Sequence, residues 1–213
     1  MRVTSLLAAS AIGWAVSSAQ AGVIYSVSAN NVYTTDVAGA NTIDFNDGTC
    51  GASVSCVGDY LITSGNLSGK YASPYGISDK YISVPEARAG SIPDKVTLTL
   101  GGDYDYYGLY WGSVDTYNSI LFYLDGILVD SFSGADLNPL LANGGQTSWA
   151  SNRYVNFYFT GGDLFDTVVL ASTNYAFESD NHAYARVPEP GTIALLALGL
   201  LGLVVSRHQV KQH

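Results

Sequence analysis

The chain has 213 residues, of which 47% are hydrophobic and 13% charged, a composition that supports a packed core and excludes a disordered chain. It carries 18 acidic and 9 basic residues, for a net charge of −9. Between Asp36 and Glu189 the balance is 18 acidic against 6 basic residues, a net of −12 with histidine neutral, which excludes a nucleic-acid-binding surface.

Residues 1–21 predict a signal peptide. Arg2 gives a positive start, Val3–Val16 is apolar, and Ala19-Gln20-Ala21 supplies small residues at the two positions that signal peptidase reads. We therefore expect signal peptidase to cleave after Ala21 and the rest of the chain to be exported. A buried N-terminal helix is the alternative, but the order of charge, apolar run and small residues favours export.

Residues 187–213 form a second separate segment. The prolines in Val187–Gly191 break any strand or helix and mark a boundary. Thr192–Val205 then runs for 14 residues without a charge, and Arg207 and Lys211 follow. Basic residues behind an apolar helix predict a cytoplasmic end. Such a helix is about 21 Å long against about 30 Å of hydrocarbon, so we expect a short, transient transmembrane anchor rather than a core helix.

The motif Pro188-Glu189-Pro190, the apolar segment and the basic tail, in this order, resemble the PEP-CTERM sorting signal of Gram-negative bacteria. The resemblance implies an exosortase as partner, which cleaves near the motif after transient anchoring in the inner membrane. It also implies a host that makes an extracellular polysaccharide or biofilm matrix. The protein would then be found at the cell surface or outside the cell.

The body, residues 22–186, has the pattern of β-strands. Val96–Leu100 alternates apolar and polar residues, and Val155, Phe157 and Phe159 do the same further on. Asp125-Gly126 stands between two apolar runs and predicts a tight hairpin. Tyr107, Leu109 and Trp111 are expected to point inward, with Tyr106, Gly108 and Tyr110 on the opposite face. Ile120, Phe122 and Leu124 form another inward set.

No helix of ten or more residues is expected in the body, although residues 134–141 have room for a turn or two. Short strands with Gly, Asn and Asp turns predict an all-β fold, a β-sandwich. Three blocks, Ile43–Gly48, Tyr107–Asn118 and Phe177–Asn181, are similar to blocks of one group of exosortase-dependent surface proteins. That resemblance implies a jelly-roll-like sandwich and no catalytic activity. In the last block Ser179 precedes Asp180-Asn181, where family members commonly have a hydrophobic residue.

The two cysteines, Cys50 and Cys56, predict a disulfide that closes a short loop, since the chain is expected to be exported. The body has a single histidine, His182, which we interpret as an exposed or hydrogen-bonded structural residue, because no Gly-x-Ser-x-Gly occurs in the chain. Many carboxylate pairs exist, but glutamate occurs only at Glu86, Glu178 and Glu189. The sequence therefore does not predict an enzyme, and a hydrolase ranks last among the alternatives.

Two ligand hypotheses remain, and no other cofactor is expected. Oxygen-bearing residues lie near the first and last strands, which can be neighbours in a jelly roll, and they form a candidate structural calcium site: Asp44, Asn46, Asp47, Glu178, Asp180 and Asn181. Turn formation explains Asp and Asn equally well. Aromatic residues that could stack on sugar rings form a candidate glycan contact: Tyr110, Trp111 and Tyr117. If Trp111 points inward with Leu109, Tyr110 would be the exposed aromatic residue.

These observations predict an exported, exosortase-processed, non-catalytic protein that contributes to a surface layer or polysaccharide matrix. The alternative is a carbohydrate-binding, lectin-like module.

Overall fold

A computed structural model of the chain describes residues 22–86, 94–137 and 141–187. The predicted signal peptide (1–21) and the sorting motif with its apolar helix and basic tail (188–213) lie outside the described residues. Twelve strands occur within the described ranges, in chain order: β1 (Gly22–Val27), β2 (Asn41–Ile43), β3 (Ser55–Gly58), β4 (Leu61–Thr63), β5 (Tyr81–Val84), β6 (Asp94–Tyr104), β7 (Tyr106–Gly112), β8 (Asn118–Leu124), β9 (Ile127–Ser133), β10 (Arg153–Thr160), β11 (Phe165–Ser172) and β12 (Phe177–Ala185).

The strands form two antiparallel sheets that pack face to face. Sheet A has seven strands in the order β1-β10-β7-β12-β5-β4, with β2 beside the second half of β12. Sheet B has five strands in the order β3-β6-β11-β8-β9. The helices in the described ranges are short, α1 (Gly134–Leu137) and a 3-10 turn at Trp149–Ser151. The predicted all-β sandwich is confirmed.

The core lies between the sheets and is rich in aromatic rings. Phe122 of β8 stands at its centre, with its ring in contact with five other rings: Tyr107, Phe132, Phe157, Phe159 and Phe165. The predicted inward residues Tyr107, Leu109 and Trp111 are all buried there. These large side chains hold the two sheets together by removing extensive apolar surface from water.

The Asp125-Gly126 hairpin is confirmed, and it joins β8 to β9. Both residues have positive φ, 51° and 78°, as a tight hairpin turn requires. Ile120 and Phe122 point into the core as predicted, but Leu124 does not belong to the core. The register between β8 and β9 shifts between Phe122 and Tyr123, so the alternation of the strand is interrupted before Leu124.

Sheet A differs from a simple half-exposed sheet because loops cover its outer face. Every residue of β7 is buried, on both faces. The Tyr106 hydroxyl on the outer face donates to Asn156 Oδ1 at 2.8 Å and shares a hydrogen bond with Thr35 of the covering loop. Tyr110, also on that face, donates to the carbonyl of Tyr75 at 2.7 Å. The polar ends of these tyrosines are therefore satisfied without solvent.

Strand β12 contains a bulge that reverses the direction of its side chains. Its register with β7 shifts between Asp180 and Ala183, and Asn181 in that interval has a φ of 49°. One extra residue on β12 therefore faces β7. As a result, Asp180 lies on the outer face beside Tyr110, whereas His182 points into the core.

Candidate ligand-binding cleft

An open cleft of about 810 Å³ lies at one end of sheet A. Four loop regions and the start of β12 form it, and most of the side chains are polar or aromatic. Its lining residues are Asn66, Leu67, Ser68, Gly69, Lys70, Tyr71, Ala72, Ser113, Asp115, Tyr117, Gln146, Asn174, Tyr175, Ala176 and Glu178. The volume is in the range of small-molecule sites in proteins.

Glu178 forms the floor of the cleft and is 2% exposed. It lies on the outer face of sheet A, where it pairs with Gly112 on one side and Ser83 on the other. Its carboxyl group accepts hydrogen bonds from Ala72 N (2.8 Å) and from the Ser113 hydroxyl (3.3 Å). Burial raises the pKa of Glu178 to about 8, against the lowering effect of these hydrogen bonds. At neutral pH the group is therefore mainly a carboxylic acid, able to donate as well as accept a hydrogen bond.

Asp115 and Tyr117 form the wall of the cleft. The Tyr117 hydroxyl is 2.5 Å from Asp115 Oδ2 and 2.9 Å from the carbonyl of Tyr175, both of which accept from it. Burial raises the pKa of Asp115, although the hydrogen bond from Tyr117 opposes the shift. Gly144, at φ 69°, leaves room for this carboxylate, because a Cβ there would lie 2.6 Å from Asp115 Oδ1. The Tyr117 ring is thus held in one orientation while part of it stays accessible.

A second, smaller concavity of about 310 Å³ lies beside the cleft on the outer face of sheet B. Strands β8, β9 and β11 supply most of it, and it combines hydroxyl groups with apolar side chains. Its lining residues are Tyr117, Ser119, Leu121, Ser131, Phe132, Ser133, Asp136, Ala171 and Thr173. Tyr117 therefore lines both concavities.

Of the three predicted glycan contacts, Tyr117 lines both concavities described above, and Tyr110 and Trp111 line neither of these two. Trp111 is 0% exposed and stacks on Phe177 with ring centroids 4.4 Å apart, as expected for an inward residue. The expectation that Tyr110 would then be exposed is wrong, since Tyr110 is also 0% exposed. The covering loops bury it, and Tyr33 contacts its ring at 5.2 Å.

The predicted calcium ligands lie in β12 and in the turns after β2, and these two strands are paired, with Ile43 opposite His182. Asp44 and Asp47 accept hydrogen bonds from Asn46 N and Thr49 N in the turns after β2, as turn-forming residues do. Asn46 Oδ1 accepts from Lys80 N, 3.3 Å away. Glu178 belongs to the cleft floor, and the carbonyl of Asn181 accepts a hydrogen bond from the Tyr154 hydroxyl at 3.2 Å.

Among the predicted ligands, Asp180 has a buried carboxyl oxygen, Oδ1, that accepts no hydrogen bond. Burial first, and then the charges of Asp44 and Asp79, raise the pKa of Asp180 to about 7. Across the described ranges, however, no group of three or more His, Cys, Asp or Glu residues is arranged to hold a metal ion. A calcium site stays a prediction.

His182 is fully buried, so it is a hydrogen-bonded structural residue and not an exposed one. Its Nδ1 is 2.9 Å from the Tyr107 hydroxyl and its Nε2 is 2.8 Å from the Ser179 hydroxyl. Burial lowers the pKa of His182 to about 3, which keeps the ring neutral. The Ser179–His182 pair lines neither concavity.

The predicted disulfide between Cys50 and Cys56 is confirmed.

Sequence reasoning missed the cleft as a unit, because its lining comes from segments that are far apart in the chain. The sequence predicts Glu178 as a calcium ligand and offers it as one member of a carboxylate pair, but it does not indicate a role for Asn66, Tyr71 or Asn174. The resemblance of Phe177–Asn181 to a recurrent block was the one signal that pointed to this floor. A polar residue such as Glu178, which stands in a strand between buried neighbours, is a further signal of a functional site and would have strengthened this prediction.

The fold and site define an all-β sandwich with an open polar cleft, followed by a separate C-terminal segment. That segment is similar to a known signal, since the sequence profile of the PEP-CTERM protein-sorting motif matches residues 186–208. The chain therefore carries a PEP-CTERM sorting motif, which implies a secreted protein sorted to the cell surface by an exosortase. Within residues 22–86, 94–137 and 141–187, no helix is both long and apolar enough to cross a membrane.

No protein of curated function matches the sequence. Among solved structures, similarity is found to CpGH89CBM32-6 of Clostridium perfringens, with 12% identity over 64% of this chain and 95% of that one and a TM-score of 0.34. CBM32-3 from a family 31 glycoside hydrolase of Clostridium perfringens has 12% identity over 68% and 96%, with a TM-score of 0.37. The K2 cleaved adhesin domain of Lys-gingipain has 14% identity over 69% and 98%, with a TM-score of 0.34. These likenesses are too distant to assign a ligand.

Proposed function

We propose that the mature protein is a non-catalytic component of an extracellular polysaccharide matrix, released there by exosortase cleavage near Pro188-Glu189-Pro190. The observation that carries this proposal is the sorting motif at residues 186–208, directly after the last strand of the sandwich. Signal peptidase cleavage after Ala21 and brief membrane anchoring by the apolar segment belong to the same proposal. The buried Ser179–His182 pair gives no reason to propose hydrolysis, because it lies outside both concavities.

Processing can be tested by the intact mass of the protein from cells and medium of its native host. We expect a chain that begins at Gly22 and ends near Pro188. The variant Glu189→Ala should keep the tail and stay with the membrane fraction, whereas the control Glu86→Ala, outside the motif, should be processed normally. A wild-type protein that retains Thr192–His213 would refute exosortase processing.

Association with the matrix needs its own experiment, because cleavage alone does not show where the protein goes. The processed protein should cofractionate with extracellular polysaccharide, and it should move to the free medium in a host strain that makes no polysaccharide. If the fractionation is the same in both strains, the matrix role fails while the sorting remains.

A second candidate function is carbohydrate binding, which the cleft favours. Its wall and floor combine the tyrosine rings of Tyr71, Tyr117 and Tyr175 with amide, hydroxyl and carboxyl groups. Rings of this kind can stack on the apolar face of a sugar, and the polar groups can bond its hydroxyls. The protonated state of Glu178 suits an uncharged ligand, since it adds a donor without adding charge.

The binding test uses the processed protein and the polysaccharide of its own host. Tyr117→Ala should lower the affinity about tenfold or more, whereas Tyr117→Phe keeps the ring and should lower it only a few-fold. Thermal unfolding of each variant checks the fold. Equal affinities for wild type and Tyr117→Ala would remove the cleft from the carbohydrate hypothesis.

A further inference from the structure

Two concavities meet at Tyr117. The cleft on sheet A and the smaller groove on sheet B both use this residue as lining. They also adjoin through the connection between β11 and β12, where Thr173 lines the groove and Asn174 lines the cleft. The two spaces are therefore neighbours on one surface and not separate sites.

The groove extends away from the cleft along strand β8. Tyr117, Ser119 and Leu121 line it in succession, and at about 3.3 Å per residue this stretch is about 13 Å long. That length exceeds a single sugar unit. A ligand that fills both spaces must therefore be a chain.

The chemistry of the groove differs from that of the cleft. Its hydroxyl groups, such as those of Ser119 and Ser131, lie beside apolar surface from Leu121 and Ala171. Sugar rings present the same combination, with hydroxyls at their edges and apolar C–H groups on their faces. The lining contains a single carboxylate, Asp136, which accepts hydrogen bonds from Ser133 N and the Ser133 hydroxyl at 2.7 Å each.

The charged residues in and around the two concavities limit the class of ligand that can bind there. Lys70 is the only basic residue among the described residues that line the two concavities, which also contain Asp115, Asp136 and Glu178. The surrounding body is acidic, with the net charge of −12 noted above between Asp36 and Glu189. A polysaccharide rich in carboxylate or sulfate groups would be repelled.

We propose that the cleft and the groove form one continuous site for a neutral, linear polysaccharide, which crosses the ring of Tyr117 and is bound along its length rather than at its end. This inference rests on the carbohydrate-binding function proposed above. Tyr117 is suited to the central position because its hydroxyl is fixed by Asp115 and Tyr175. A fixed aromatic ring loses little conformational entropy when a ligand stacks on it.

The test is the dependence of affinity on chain length. The probes are oligosaccharides of two to eight sugars, prepared by mild acid hydrolysis of the neutral polysaccharide of the host and separated by length. Titration calorimetry with the processed protein should show at least a tenfold rise in affinity from the shortest to the longest chain, followed by a plateau.

Two variants on the outer face of sheet B make the test specific. Ser131→Trp fills the groove at an exposed position and should remove the gain in affinity with chain length. Thr99→Trp introduces the same side chain on the same face, on β6, away from both concavities, and should behave as wild type.

The outcomes separate this inference from the function on which it rests. An affinity that does not change with length, or a gain with length that survives in Ser131→Trp, overturns the continuous site but leaves binding in the cleft. If wild type binds no oligosaccharide of any length, carbohydrate binding itself fails. Tighter binding of acidic than of neutral chains would contradict the proposed ligand class.

Discussion

The two sheets differ in what covers their outer faces. In sheet A, loops cover the outer face, so that all seven residues of β7 are buried. In sheet B, β6 and β8 alternate between buried core residues and partly exposed hydroxyl-bearing residues such as Thr97 and Ser119. Sheet B therefore follows the pattern of an antiparallel sheet with one solvent-exposed face, whereas the central strand β7 of sheet A is buried on both faces. Alternation of apolar and polar residues in the sequence therefore predicts which side chains face the core, but it does not predict whether the opposite face is exposed to solvent.

The largest effect is expected where the two sheets share one core. Phe122→Ala removes the ring that contacts five other rings. We expect the free energy of unfolding to fall by about 4 kcal/mol, because apolar burial is lost and a cavity is left behind. Denaturant unfolding measures the change. A loss below about 1 kcal/mol would mean that the sheets do not depend on this contact.

The next largest effect is the pH dependence of stability that Glu178, on the buried outer face of sheet A, should produce. The pKa of Glu178 is about 8 in the folded protein, above its ordinary value of 4.5 in the unfolded chain. The folded state therefore holds a proton that the unfolded state releases, and the stability falls as pH rises from 4.5 to 8. Glu178→Gln cannot ionise, so at pH 9 it should be more stable than wild type by on the order of 3 kcal/mol, with little difference at pH 5.

Thermal unfolding of both proteins between pH 5 and pH 9 measures this difference. Asp47→Asn is the control: hydrogen bonds from Thr49 lower the pKa of Asp47 from 3.8, so its ionised form favours folding, and this variant should be less stable than wild type by the same amount throughout this pH range. A Glu178→Gln variant with the pH profile of wild type would show that Glu178 ionises freely in the cleft.

A smaller effect compares glycines in the two sheets. At Gly108 on the outer face of sheet A, a Cβ would lie 2.6 Å from the Tyr154 hydroxyl, so Gly108→Ala should cost about 2 kcal/mol through overpacking. At Gly102 in β6 of sheet B, the nearest atom would be the Tyr104 hydroxyl at 3.3 Å, and Gly102→Ala should be nearly neutral. Equal costs in denaturant unfolding would argue against a tightly covered face on sheet A.

The smallest effect concerns a single hydroxyl group. Tyr106→Phe removes the hydrogen bond to Asn156 Oδ1 beneath the covering loop, and we expect a loss of about 1 kcal/mol. Tyr123→Phe, on the partly exposed outer face of sheet B, is the matched control and should change stability by less than about half as much. The reverse order of the two variants in thermal unfolding would contradict the comparison.

Most of the sandwich could be predicted from the sequence, because its inner faces follow a period of two residues. That period identified Val96, Leu109 and Phe157 as core residues, and the Asp125-Gly126 pair identified a hairpin. The burial of Tyr110 could not be predicted, because the loop that carries Tyr33 and covers Tyr110 has no regular sequence pattern. Loop positions depend on tertiary contacts rather than on local preference.

The candidate site could be predicted only in part, for a related reason. Tyr117 was one of the three predicted glycan contacts, but its role at the junction of two concavities depends on strands that meet only in the fold. His182 shows the effect of a single inserted residue. The bulge at Asn181 turns His182 into the core, and the residue types of the sequence do not reveal that shift.

The position of β12 has a consequence for the order of folding. It is the last strand in the chain, yet it lies within sheet A, between β7 on one side and β5 and β2 on the other. Strands β2, β4 and β5 therefore reach the remainder of sheet A only through β12. A chain that emerges from its N-terminus cannot complete this sheet until Phe177–Ala185 has emerged, so assembly must wait for nearly the whole body. Loss of β12 would disconnect those three strands from the remainder of sheet A.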